Sequence, residues 1–209
     1  MTKNIRWLGH AGFVIRGSRT VCVDPYRVST GEPAGLILIT HEHGDHCSPD
    51  DAAKFTGPGT WIVAPAAAAA KLARLAGNPE RVKTVKPGDT LTLDGVEIRA
   101  VPAYNLKIPN HSPDKGHVGY VFRLDGVTYY HAGDTDRIPE MRGIRADVAF
   151  LPAGGTYTMN AKEAAEAAED IGPRLAVPMH WGSVVGSEKD ALEFKNRFKG
   201  EVWIPTLQE

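Results

Sequence analysis

The chain has 209 residues, 42% of them hydrophobic and 23% charged, a balance that excludes a disordered or fibrous chain and leads us to expect a single domain over residues 1–209 around one buried core. Its 24 basic and 25 acidic residues give a net charge of -1, which argues against attraction of the whole molecule to nucleic acid. Met1 leads into the alternating stretch Asn4 to Leu8 without a secretory pattern, and no run approaches the ~20 apolar residues of a membrane span, so a cytoplasmic protein without a membrane partner is expected.

In chain order, short strands are predicted at Ile5 to Leu8, Phe13 to Arg16, Thr20 to Val23 and in the apolar run Leu36 to Ile39. A helix follows at Ser48-Pro49-Asp50-Asp51, where serine caps, proline takes the first turn and aspartate meets the positive end of the helix dipole. Trp61 to Ala64 reads as a strand and Ala66 to Ala76 as an alanine-rich helix stopped by Gly77 and Pro79. Strands at Val82 to Val85, Thr90 to Leu93 and Val96 to Val101, separated by turn residues, read as an antiparallel meander. The loop from Tyr104 to Gly116 is longer than an ordinary connection and is a candidate for functional work.

The second half repeats the order of elements without a repeated motif. Strands Gly119 to Leu124 and Val127 to His131 join through Asp125-Gly126, and Val148 to Leu151 follows. Asn160 and Glu163 form a capping box for the helix Ala161 to Ile171, which Gly172-Pro173 ends. Leu175 to Met179 is a buried strand, Ser187 to Lys199 a helix and Val202 to Ile204 a closing strand. The expected fold class is α/β, a four-layer αββα sandwich of two face-to-face sheets with helices on both outer surfaces.

Three of the eight histidines fall between His41 and His46 together with Asp45, in the loop between a buried strand and a capped helix. His41 and His43 are two apart and project to one side of an extended stretch; Gly44 then lets the chain turn and present Asp45 and His46. Imidazoles with a carboxylate suit zinc, or manganese or iron as alternatives. Cys22 reads as a buried hydrophobe, and Cys47 is a weaker candidate ligand than its neighbours.

Thr40-His41-Glu42-His43-Gly44-Asp45-His46 resembles the signature of the metallo-β-lactamase superfamily, and Gly133-Asp134-Thr135 and Met179-His180-Trp181 resemble its later ligand motifs in the right order. Gly9-His10-Ala11, Tyr130 to Thr135 and Tyr157-Thr158-Met159 are most similar to the subgroup that includes ascorbate-6-phosphate lactonase. The resemblance implies two divalent metal ions, one on His41 and His43, the other on Asp45, His46 and His180, with Asp134 bridging. Where many members place a third histidine for the first metal, this chain reads Pro102-Ala103-Tyr104-Asn105, so His111 is the expected substitute and His117 the alternative. Asp24 and His131 are expected to support the ligands from behind, Asp24 by accepting an imidazole N–H.

The implied reaction is hydrolysis of a small ester-like substrate, a lactone or phosphate ester, by a metal-bound hydroxide that Asp45 orients, with Tyr104 or His10 bonding the developing oxyanion. Amides of the Gly154-Gly155 and Tyr157 segment are a further expected anion site. A nucleic-acid phosphodiesterase and a metal-binding sensor without turnover are the rival readings, and a homo-oligomer is compatible with either.

Overall fold

The computed structural model describes residues 2–75 and 77–207. Two six-stranded sheets carry the fold, each in strict sequence order. The first contains β1 (Ile5–Gly9), β2 (Gly12–Ile15), β3 (Val21–Val23), β4 (Leu36–Leu38), β5 (Trp61–Ala64) and β6 (Val82–Thr84). The second contains β7 (Thr90–Leu93), β8 (Val96–Pro102), β9 (Val118–Leu124), β10 (Val127–His131), β11 (Val148–Pro152) and β12 (Leu175–Met179). In the first sheet β1 to β3 are antiparallel and β3 to β6 parallel. In the second, β7 to β10 are antiparallel and β10 to β12 parallel.

Side-chain alternation divides the core. Val21, Val23, Leu36, Leu38 and Val63 face the second sheet, where they join Ile98, Tyr120, Phe122 and Phe150. Their neighbours Cys22, Ile37, Ile62 and Ala64 face outward under α1 (Pro49–Ala53) and α2 (Ala66–Leu72), packing with Ala52, Phe55, Ala68 and Leu72. On the opposite surface α3 (Ala161–Ile171) lies on β11, and α4 (Glu188–Arg197) lies on α3 and β12. Every residue of β11 and β12 is buried, as expected of parallel strands covered on both faces. The four-layer αββα arrangement is the one expected from the element order.

Local signals act as the sequence suggests. The Ser48 side chain accepts from the Asp51 amide, the Asn160–Glu163 capping box closes in both directions, and Gly172 ends α3 with φ 67°. Three expectations need correction. Val82–Thr84 is not part of a meander with β7 and β8: it joins the first sheet parallel to β5, because the chain crosses between sheets at Lys86 to Asp89. The alanine-rich helix stops at Leu72, with Ala76 outside the described residues, and Val202 makes only a single bridge to Ala176 instead of a strand.

The topology places loops of both halves on one rim. β1 and β3 run parallel to β4, and β8 runs parallel to β10, β11 and β12, so the carboxyl ends of all these strands lie on the same side of the sandwich. The sheets are tied together there. The His180 amide donates to the His10 carbonyl at 3.0 Å, the Val118 amide to the Thr40 carbonyl at 3.1 Å, and the Tyr120 hydroxyl to the Ile39 carbonyl at 2.9 Å.

Candidate metal centre

The rim collects His10 after β1, Asp24 after β3, His41 to His46 after β4, His111 from the loop after β8, Asp134 after β10 and His180 after β12. Of the histidines and aspartates among them, all except His43 and Asp45 are buried. Their ligating atoms form two sets, linked by a third group of His41, His46 and Asp134. His41, His43 and His111 converge as one set, and His10, Asp45, His46 and His180 as the other, with the atoms of each set within 4.8 Å of one another. Asp134 stands between them. Its Oδ1 is 3.1 Å from His46 Nε2, and its Oδ2 is 3.1 Å from His180 Nε2, 3.4 Å from His111 Nε2 and 3.9 Å from His41 Nε2.

The surrounding hydrogen bonds decide which nitrogen faces inward. Asp24 accepts from the Thr40 amide at 2.8 Å, from the Thr40 hydroxyl at 2.6 Å and from His46 Nδ1 at 2.8 Å. With its proton given to Asp24, the Thr40 oxygen can only accept from His41 Nδ1, 3.0 Å away. His41 and His46 therefore both hold their proton on Nδ1 and turn the Nε2 lone pair to the centre. His111 is oriented in the same way, by donating from Nδ1 to Asn105 Oδ1 at 2.8 Å. His43 is the exception: its Nδ1 lies 3.1 Å from both His41 Nε2 and His111 Nε2, so Nδ1 is its inward atom.

Charge follows the same plan. Burial alone would raise the carboxyl of Asp134, yet His180 and His46 hold it well below the usual carboxylate range. Burial disfavours a charged His46, but Asp134 on one side and Asp24 on the other outweigh it and push the imidazole well above its ordinary value. The position at His46 Nε2 thus favours positive charge. His41 is lowered by burial and by the neighbouring His46, and His111 is lowered to about 4, chiefly by burial. Asp45 falls to about 2 because the hydrogen bond to His10 and the charge of His46 override its burial.

The residues fit a pair of divalent cations. His46 Nε2, Asp134 Oδ1 and His180 Nε2 are buried without an aligned hydrogen-bond partner, although His46 Nε2 faces Asp134 Oδ1 and His180 Nε2 faces Asp134 Oδ2 at contact distance. Leaving such atoms unpaired costs on the order of 1–3 kcal/mol each, a cost that shared cations would remove. Two imidazole-rich sets joined by a carboxylate match the ligand chemistry of zinc.

The two candidates for the missing histidine lie in different surroundings. His111 joins His41 and His43, whereas His117 Nε2 lies 3.0 Å from Glu42 Oε2, outside the converging set. His10 lies deeper than a substrate-facing position would require, with Nε2 3.1 Å from Asp45 Oδ2 and inside the second ligand set. His131 acts at a distance: its Nδ1 accepts from the Gly133 amide and its Nε2 donates to the Ala11 carbonyl, tying the turn before Asp134 to the turn after His10.

Other placements differ from expectation. The Tyr104 hydroxyl turns away from the cluster and donates to the carboxylate of Glu140 at 3.1 Å. The Gly155 and Met159 amides bond to the carbonyls of Met159 and Thr135 and are not free for an anion. Cys47 points to the Ala68 carbonyl beneath α2, and burial raises its thiol to about 11. Sequence reasoning missed Asn105. Buried, it accepts from the amide and ring of His111 and donates to Asp136 and to the Tyr157 carbonyl. An amide side chain in a long loop ahead of a candidate ligand was the available signal.

A cavity of about 500 Å3 opens onto both sets and is walled by Tyr26, Tyr157 and Val184. A groove of about 560 Å3 on the outer face of β7 to β9, lined by Thr92, Arg99 and Arg123, is slightly larger but lies away from every ligating group named above. Among the described residues no helix is long and apolar enough to cross a membrane.

The family model of the β-lactamase superfamily domain matches residues 4–180. A UPF0173 metal-dependent hydrolase of Thermococcus kodakarensis is 37% identical, over 98% of this chain and 96% of that protein. A crystal structure from Parabacteroides distasonis, described as a metal-dependent hydrolase, is 34% identical with a TM-score of 0.84, covering 98% of this chain and 93% of the other. A metallo hydrolase of Ignicoccus hospitalis, 24% identical with a TM-score of 0.78 over 98% and 95% of the two chains, shares the fold. With its sandwich, its rim of ligands and these relatives, the chain belongs to the metallo-β-lactamase superfamily and, within it, to the UPF0173 family of metal-dependent hydrolases.

Proposed function

We propose that the protein is a cytoplasmic, single-domain hydrolase of small ester-like substrates, a lactone or a phosphate ester, working with two divalent cations, zinc first and manganese or iron as alternatives. The observation that carries this reading is Asp134, one buried carboxylate that reaches His41 and His111 of one set and His46 and His180 of the other. His41 Nε2, His43 Nδ1 and His111 Nε2 would hold one ion; Asp45, His46 Nε2 and His180 Nε2 would hold the other, with Asp134 shared.

Bound there, the ions supply Lewis acidity and bring the ionisation of water toward neutrality. Asp45 is the more solvent-open of the two carboxylates in the cavity and is ionised well below neutral pH, so it can orient an attacking water and accept its hydrogen bond. His10 steadies Asp45 through the 3.1 Å contact to Oδ2. Asp24, Thr40 and Asn105 keep the ring protons outside the centre. In the ester case, water adds across the acyl C–O bond, which breaks to give a carboxylate, an alcohol and one proton.

The test is elemental analysis of protein purified without chelator, followed by turnover of model lactones and phosphate esters. About two equivalents of metal with turnover support the proposal. Tight metal binding with no turnover of either class would instead indicate a sensor.

A further inference from the structure

The cavity over the ligand sets also has an apolar side. Tyr157 and Val184 line it and stay 46% and 47% exposed, so they form a half-open apolar wall facing the ligand sets. Tyr26, in the loop after β3, lines the same cavity.

The wall is also fixed in place. Tyr157 has φ 66°, in the left-handed region that a bulky side chain rarely adopts. Such a conformation persists only where the surroundings impose it, and it concentrates at ligand-contacting positions. Three contacts hold the segment around it, one of them to Tyr157 itself. Asn105 Nδ2 donates to the Tyr157 carbonyl at 2.9 Å, the Met159 amide donates to the Thr135 carbonyl, and Gly154 packs so tightly against the His180 carbonyl that no side chain fits between them. Asn105 also orients His111, so one side chain sets both a candidate ligand and the wall opposite it.

We propose that this wall makes the site selective, among carboxylic esters and lactones, for those with an apolar acyl part. The inference rests on the hydrolase reading above and narrows its substrate class. An uncharged acyl chain gains by covering the exposed faces of Tyr157 and Val184, whereas a short one leaves them to water.

The test compares p-nitrophenyl acetate, butyrate and octanoate with p-nitrophenyl phosphate and bis(p-nitrophenyl) phosphate on zinc-loaded protein. Calorimetric binding of butyrate and octanoate gives a readout independent of turnover. Full burial of a methylene is worth roughly fourfold in affinity, so a half-open wall should give about twofold, or about sixteenfold in kcat/KM and in affinity from butyrate to octanoate. Tyr157→Asn keeps a residue that tolerates positive φ and should flatten this dependence at unchanged zinc content, and Tyr157→Phe should retain it.

Turnover of the phosphate esters with none of the carboxylic esters would overturn the proposal and leave the hydrolase reading standing, as would a flat chain-length series. Chain-length-dependent binding without turnover of any ester would keep the apolar selectivity and remove the hydrolase reading. Neither binding nor turnover would overturn both.

Discussion

Asp24→Asn is the substitution whose consequence can be followed atom by atom. Asp24 is fully buried, and its three acceptor contacts fix the protons of two candidate ligands at once: His46 directly and His41 through the Thr40 hydroxyl. Asparagine tolerates the φ of 43° at this position, so the turn after β3 should survive. With Oδ1 still accepting from the Thr40 amide, the new NH2 group occupies the place of Oδ2 and can only donate. The Thr40 hydroxyl must then accept from it and give its own proton to His41 Nδ1, which moves the His41 proton to Nε2. His46 meets the same donor and also shifts its proton to Nε2, so both inward lone pairs are lost. Removing an orienting partner of this kind typically costs 10–100-fold in metal affinity, about 1.4–2.8 kcal/mol, and two ligands are affected here, so the upper end is expected. The assay is competition for zinc against a chromogenic chelator, on protein whose circular dichroism matches the parent. Affinity within twofold of the parent would refute the proton assignment.

Further substitutions probe other parts of the structure. His43 is only partly buried, so His43→Ala should lower bound zinc from two equivalents to one while the melting temperature of metal-free protein stays close to the parent value, as read by elemental analysis and calorimetry. Gly154→Ala places a Cβ against the His180 carbonyl and should displace that strand end, costing about 1–3 kcal/mol in urea unfolding and weakening zinc binding together. Phe150 is fully buried with its ring 4.4 Å from Phe13, so Phe150→Ala should destabilise by about 3–5 kcal/mol. Asp51 accepts from the amides of Arg27 and Val28 and from Lys54; burial would raise its carboxyl, but hydrogen bonds from Lys54, Ser48 and those amides hold it below the ordinary value. A lowered carboxyl stabilises the fold at pH above the unfolded value near 4 and loses that contribution as pH falls through the folded value. Asp51→Asn should therefore cost about 1–3 kcal/mol at pH 6, with the gap to the parent narrowing toward pH 3 in a series of thermal melts.

What the sequence made legible was whatever chemistry it packed locally. His41 to His46 stand in one loop after an apolar strand, so their spacing pointed to the rim, while Asp134 and His180, each following an apolar strand, were picked out by the resemblance of Gly133-Asp134-Thr135 and Met179-His180-Trp181 to known ligand motifs. The alternation in β1 to β5 and the caps of α1 and α3 gave the layers in the same way. What stayed hidden depends on partners distant in the chain. Val82–Thr84 has the same periodicity whichever sheet it joins, and only pairing with β5 settles the matter. The Tyr104 hydroxyl is captured by Glu140, 36 residues further on, and His111 is separated from His117 by the Asn105 and Glu42 contacts that each one makes. No local pattern carries those pairings.

The central claim is that Asp134 joins two cation sites. An anomalous difference map from crystals grown with zinc, recorded on both sides of the zinc edge, addresses it directly. Two peaks roughly 3.5–4 Å apart, flanking the Asp134 carboxylate and each bounded by one histidine set, are predicted. A single peak, or zinc bound away from Asp134, would contradict the account.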